Sequence, residues 1–210
     1  MTGDGVLETA PVILIIAAAS GTGKSSLARA LVKSEPSVVL SVSHTTRKIG
    51  RGEIDGREYF FISEQSFKKM AQAGQFAEHA KVYDHYYGTS KRTITDNLES
   101  GLSVVLDIDW QGAQQVARQF ECAVRVFLLP PSIRTLRTRL VKRRRDPENA
   151  IQSRLQMAIE DMKHYTEFDH VILNDNFDAA LKDLKSLLPG HSGITRPLPK
   201  SLLENLGIAA

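Results

Sequence analysis

The sequence predicts an α/β protein with a parallel central sheet covered by helices on both faces. Three observations carry that expectation. Apolar runs too short to be helices recur along the chain, as strands buried on both faces read. Segments with helical spacing separate most of them, the alternation expected of strand–helix–strand units. Between the first run and the first helical segment stands a glycine-rich turn, SGTGKSS (20–26).

The first strand is expected in PVILIIA (11–17), and Leu27, Ala30 and Leu31 give the following segment a helical stripe. Further strands are expected in VVLSV (38–42), SVVLDID (103–109), AVRVFLL (123–129) and VIL (171–173). Helices are expected from Asp109 or Trp110 to about Phe120, from Ser132 to about Val141, and from Asp178 to about Leu188. Two stretches break this rhythm. Residues 43–90 are polar, dotted with glycine and rich in aromatics, with strand-like pieces at EYFFI (58–62) and FAEHAKVY (76–83); they read as an inserted α+β subdomain. KRRRDPEN (142–149) is too charged to pack and separates two helices, with Asp146 suited to cap the second and Pro147 to its first turn. That second helix carries an apolar stripe of Ile151, Leu155, Ala158, Ile159 and Met162. The tail from Gly190 has glycine and prolines, then an apolar KSLLENLGIA.

Composition narrows the class. At 210 residues the chain suits one domain, or one core with insertions. No apolar run is as long as a membrane span, and MTGDGVLETA lacks the pattern of a signal peptide, so a cytoplasmic location is expected. Cys122 is the single cysteine and precedes an apolar run, which predicts a buried free thiol. The six histidines show no metal-ligand spacing, so structural zinc is not expected. Between Arg134 and Arg154, eight Lys/Arg face two acidic residues, a local +6 in a chain of net +3. Positive charge this compact suits one small polyanion, where a nucleic-acid surface would be broader.

Residues 17–28, AAASGTGKSSLA, follow the phosphate-loop template GxxxxGK[ST], except that Ala18 holds the place of its first glycine. Position 18 ends a strand and needs no positive φ, so alanine is tolerable there. Gly21 and Gly23 let successive backbone N–H groups converge on phosphate oxygens, and the helix starting near Lys24 adds its positive end. Lys24 brings a charge to the β and γ phosphates, and the Ser25 hydroxyl is a ligand for Mg²⁺.

Together with that loop, SHTTRKIGRGEIDGREYFF (from Ser43), GQFAEHAKVYDHYYGTS, VVLDIDWQG and the later PPS…KRRR closely resemble the guanylate kinases, the bacterial ones in particular, over roughly residues 11–188. Bacterial members commonly have alanine in the slot of Ala18. The resemblance implies a P-loop NTPase three-layer fold: a core over about 11–42, 102–131 and 166–190, a GMP-binding insert over about 43–90, a mobile helical lid over about 138–155, and a tail from 191 to 210 outside the 11–190 domain. It implies transfer of the γ-phosphoryl group of ATP to GMP, with Mg²⁺. ATP would lie on Ala18, Ala19, Ser20, Gly21, Thr22, Gly23, Lys24 and Ser25. Glu78 matches the carboxylate that reads guanine, and Asp109 the second acidic contact. The chemistry agrees, since guanine offers two adjacent donors beside an acceptor and a carboxylate takes both. Ser43 and Thr89 match hydroxyl contacts to the base, and Arg47, Tyr59 and Tyr87 the holders of the GMP phosphate. The family usually reads R-x-P-R-x-G-E here; this chain has Ile49 for the proline and Gly50 for the second arginine, leaving Arg51 as the candidate replacement.

Asp107 and Asp109 are two apart at a strand end and face the same way, at the edge where ligands bind in open parallel sheets. Asp107 is expected to act on Mg²⁺ through water. In the lid, Arg143 and Arg154 fall on the family's two arginines; Arg139 also matches, with a supporting role open. No general base is expected, because the acceptor is a phosphate oxygen whose second pKa is about 6. Lys24, Arg143, Arg154 and the metal then suffice as catalytic groups. The partners expected are ATP and GMP, with no nucleic acid or membrane; a homo-oligomer stays open. The alternative is a non-catalytic guanylate-kinase-like module that binds phosphopeptides, which Lys24 and Ser25 in a complete loop argue against.

Overall fold

Six consecutive residues of the first strand alternate between two buried faces, and this alternation organises the molecule. The structure is a computed structural model that describes residues 10–82, 84–143 and 148–209; of residues 142, 143 and 148–150 it describes the backbone alone. In chain order the elements are β1 (Ile13–Ala18), α1 (Lys24–Ser34), β2 (Val38–Leu40), β3 (His44–Thr45), β4 (Phe60–Phe61), α2 (Glu64–Gln72), β5 (Phe76–Val82), β6 (His85–Ser90) and α3 (Lys91–Glu99). There follow β7 (Ser103–Asp107), α4 (Trp110–Ala117), β8 (Ala123–Leu129), α5 (Ile133–Arg143), α6 (Glu148–Met162), a 3-10 turn (Lys163–Glu167), β9 (His170–Leu173), α7 (Phe177–Ser186) and α8 (Leu202–Asn205).

Five strands form one parallel sheet in the order β2-β7-β1-β8-β9. Leu14 and Ile16 pack under α1 and α7 with Leu27, Leu31, Ala180 and Leu184. Ile13 and Ile15 face the other way, against Ile94 of α3 and Ala113 and Val116 of α4. The expected three layers are therefore present. The end of β1 meets a further cluster, where Ala17 and Ala19 pack with Leu136 and Leu140 of α5, Leu155, Ala158 and Met162 of α6, and Leu202, Leu206 and Ile208 of the tail. The chain fills one side of β1 with β2 and β7 and then the other with β8 and β9, so the crevice at the carboxyl end of β1 is the place where ligands bind in such sheets.

A second sheet, β4-β3-β6-β5, is built from residues of the 43–90 stretch. Phe67 of α2 plugs it, stacked on Phe76 with ring centroids 4.5 Å apart. It leans on α4, whose Gln115 accepts from the His79 N–H and whose neighbour Gln119 donates to Ala77 O.

Some expectations need correction. Cys122 is exposed, because it lies on the turn ahead of β8. Helix α5 extends through Lys142 and Arg143, and α6 starts at Glu148, so much of KRRRDPEN is helical backbone; Asp146 and Pro147 lie outside the described residues. Helix α2, capped by Ser63, is the helical part of the α+β insert, whereas α3, capped by Ser90, is not among the expected helices. Among the described residues no helix is long and apolar enough to cross a membrane.

Candidate active site

The β1–α1 turn is shaped by two glycines. Gly21 and Gly23 have φ of 91° and 108°, where a side chain would be strained. Ala18 is still a strand residue, paired in register with Leu128, which explains why the template's first glycine is dispensable. Ser63, Ser90, Asp109 and Asn176 cap α2, α3, α4 and α7, whereas α1 starts after Gly23 with no side-chain cap and no acidic residue in its first turn. Its N–H groups and positive end are thus left for an anion. The Thr22 carbonyl is drawn the other way, accepting from Arg139 Nη1 at 2.8 Å and Asn174 Nδ2 at 2.7 Å. Ala19 and Thr22 are buried, while Ser20 and Ser25 are exposed on either side of the turn.

Lys24 bends across to the end of β7. Its ammonium group pairs with Asp107 and donates to Ile108 O at 2.9 Å. From there a cleft of about 160 Å³ opens, lined by Lys24, Ser43, Tyr59, Glu78, Tyr87, Asp107 and Asp109 among others. Glu78 from β5 is only 6% exposed, so it is not the solvated strand residue that the FAEHAKV alternation allows. Thr89 donates its hydroxyl to Glu78 Oε1 at 2.6 Å, and Ser43 Oγ lies 3.2 Å from Thr89 Oγ1. Burial first, and the Asp109 charge second, push the Glu78 carboxyl up to about 7. Asp109 spends one oxygen on capping α4, accepting from Gly112 N at 2.7 Å. Gly112 lets the helix approach so closely that a Cβ there would meet both Asp109 Oδ1 and Glu78 Oε2 at 3.3 Å.

Tyr59 and Tyr87 meet edge-on at 5.8 Å, with Arg47 over the Tyr59 ring at 5.4 Å. Arg47 itself is held by both oxygens of Glu53, at 2.7 and 2.8 Å, and Gly50 N–H donates to the same carboxylate at 2.6 Å. A Cβ at Gly50 would stand 2.7 Å from Glu53 Oε2, so a side chain in the slot of the family's second arginine would have to displace the Glu53 carboxylate. Arg51 is exposed and does not line the cleft. Arg154 is half-buried on α6; Arg143 ends α5, and its side chain lies outside the described residues. Glu53, Gly112 and Asn174 were missed in the sequence. Asn174 had a signal: it directly follows β9 at the ligand-binding edge of the sheet.

The Glu78 carboxyl gives a pH prediction. Only the ionised group accepts two donors, and near pH 7 about half of it is protonated in the free protein. From about pH 8 to about pH 6 the ionised fraction falls about tenfold, so affinity for a ligand edge that presents two donors to Glu78 should fall by the same factor. Binding near pH 7 should release about half a proton, read as a buffer-dependent enthalpy in calorimetry. A release that is the same in Glu78→Gln would assign the proton elsewhere.

A phosphate loop opening onto a second polar cleft defines, by class, a nucleotide-dependent phosphotransferase. The sequence profile of guanylate kinase matches residues 10–190. The chain belongs to the guanylate kinase family. It is 48% identical to the guanylate kinase of Thiobacillus denitrificans over 84% of each chain, and 49% identical to that of Coxiella burnetii over 82% of this chain and 84% of the relative. The crystal structure of guanylate kinase from Anaplasma phagocytophilum superposes with a TM-score of 0.68 at 29% identity, covering 85% of each chain.

Proposed function

We propose that the protein transfers the γ-phosphoryl group of ATP to GMP, giving ADP and GDP. The observation that carries this reading is the shared cleft: Lys24 of the phosphate loop and the buried Glu78 line the same cavity. Glu78 accepts the N1–H and 2-amino protons of guanine, and adenine lacks that pair. Since Thr89 gives its proton to Glu78, Ser43 donates to Thr89 in the free protein, and turning that hydroxyl from Thr89 presents its proton to O6. Asp109 keeps one oxygen for the 2-amino group. Arg47, Tyr59 and Tyr87 take the GMP phosphate, which must draw Arg47 from Glu53, and Arg51 approaches only if its turn rearranges.

The phosphate loop and Lys24 hold the phosphates of ATP, with Arg143 and Arg154 neutralising charge from the lid. Ser25 and Asp107 offer the hard oxygen donors that Mg²⁺ prefers, so the residues present fit that ion. When bound, Mg²⁺ offsets charge on the β and γ phosphates. No side chain need remove a proton from the largely dianionic acceptor. The insert over 43–90 and the lid over 138–155 exclude water from the phosphoryl group. A cytoplasmic location goes with these two substrates.

The test is ADP release from ATP and Mg²⁺ with GMP, AMP, UMP and dTMP offered in parallel. Turnover with GMP alone is expected. Turnover with another base would discard the guanine pocket, and none from folded protein would turn attention to the phosphopeptide-binding alternative.

A further inference from the structure

The family match ends at residue 190, yet the chain beyond it is bound to both supports of the phosphate loop. Arg196 is the first attachment. Its backbone N–H and Nε donate to the two oxygens of Asp183, at 3.1 and 2.7 Å, gripping a carboxylate of α7 that is 5% exposed. The far end of the guanidinium donates to Leu173 O at 3.0 Å and reaches Asp175 Oδ1 at 3.3 Å. Those two contacts flank Asn174, whose amide holds the Thr22 carbonyl.

The second attachment is apolar. Leu202, Leu206 and Ile208 are buried in one cluster with Leu136 and Leu140 of α5. Those leucines stand 3.0–3.1 Å from where a Cβ on Gly21 would lie, and the same helix carries Arg139, the other donor to Thr22 O. Arg139 Nη2 also donates to Asn174 O at 3.3 Å, closing the two supports on each other.

The consequence follows from peptide geometry. The Thr22 carbonyl and the Gly23 N–H belong to one trans peptide unit and point in opposite directions. Two donors pulling the carbonyl one way aim the N–H the other way. Between two glycines of positive φ, this peptide plane has little else to fix it. We propose that the segment from Arg196 to Ile208 is a strap that orients the Gly23 N–H toward the ATP phosphates, with Arg196 as a positioning residue. This rests on the ATP and GMP reading above.

The experiment titrates the full chain, wild type and Arg196→Ala, with the β,γ-imido analogue of ATP plus Mg²⁺ and, separately, with GMP. Folding is checked by circular dichroism. The expected result is an analogue affinity weakened by about threefold to tenfold, the size of coupling carried through a packed network, with GMP affinity unchanged and the Gly23 amide resonance shifted. Arg196→Lys, which keeps a cation beside Asp183 without the fork to Leu173 O and Asp175, should fall between; it carries the same comparison if the alanine variant does not fold. Equal affinities in variant and wild type, or parallel losses for both ligands, would overturn the strap while leaving the functional reading intact. Wild-type protein that binds neither nucleotide would overturn both.

Discussion

Lys24→Ala should lower kcat for phosphoryl transfer to GMP by about 10²–10³-fold, the effect of removing one preorganised donor to transition-state charge, with the fold intact. The side chain is partly exposed and pairs with an equally accessible Asp107, so water can replace it on the carboxylate. In the absence of nucleotide its ammonium is satisfied by Asp107 and Ile108 O, and the phosphates of ATP must take it over from them. The loss should fall on the chemical step, because negative charge develops on the leaving β-phosphate oxygen only as the bond to the transferred group breaks. One confounding effect can be removed by choice of pH and GMP concentration. The Lys24 charge favours the ionised form of Glu78, so its removal raises that carboxyl further and weakens guanine binding near neutrality. Single-turnover measurement at about pH 8 with saturating GMP isolates the phosphoryl-transfer step from that weakened binding. Retention of kcat within a few-fold there would remove Lys24 from the mechanism.

The phosphate loop was legible because its information is local. Strand, two glycines, lysine and helix follow within a dozen residues, and the sheet continues the apolar runs of β1, β7, β8 and β9. What supports the loop was legible only as residues, Arg139 by its match to the family and Asn174 by its place after β9. The contacts themselves, across 152 residues to Asn174 and 117 to Arg139, leave no trace in one sequence. The bounds of α2 and the whole of α3 left no periodic signal, because each buries essentially one side chain, Phe67 or Ile94, too little for an apolar stripe. Strands β3 and β4 are two residues long and exist through pairing with β6 and with each other. The tail read as a short apolar segment; only tertiary contact shows Leu202, Leu206 and Ile208 entering the core beside α5 and α6. On the acceptor side the residue types were readable and their states were not. The Arg47–Glu53 pair forms in a turn where the Gly50 N–H also donates to Glu53, and the burial of Glu78 goes with the close approach at Gly112.

That burial makes Glu78→Gln informative in two opposite directions. Catalytic efficiency with GMP should fall by about 5- to 150-fold, the 1–3 kcal/mol of a bidentate base contact, because the amide nitrogen cannot accept a guanine donor. Affinity for ATP should be untouched, since the Thr22 supports and the uncapped start of α1 do not involve β5. Stability should move the other way. The Glu78 carboxyl titrates near 7 in the folded protein and lower when unfolded, so the native state binds its proton more tightly. The stabilising effect of that proton is complete below the unfolded pKa and is lost as pH rises through about 7. Above neutrality the ionised group therefore weighs against folding by up to about 3 kcal/mol, and the neutral glutamine relieves it. Thermal unfolding of the variant should exceed that of wild type at about pH 8 and converge with it at about pH 5, where Glu78 is itself neutral. Added GMP should narrow the gap by stabilising wild type preferentially, because guanine supplies the donors that the buried carboxylate lacks. A variant that loses GMP turnover and also loses stability at about pH 8 would contradict this account. It would make Glu78 a structural group of the insert, satisfied by Thr89, and leave guanine to be read elsewhere.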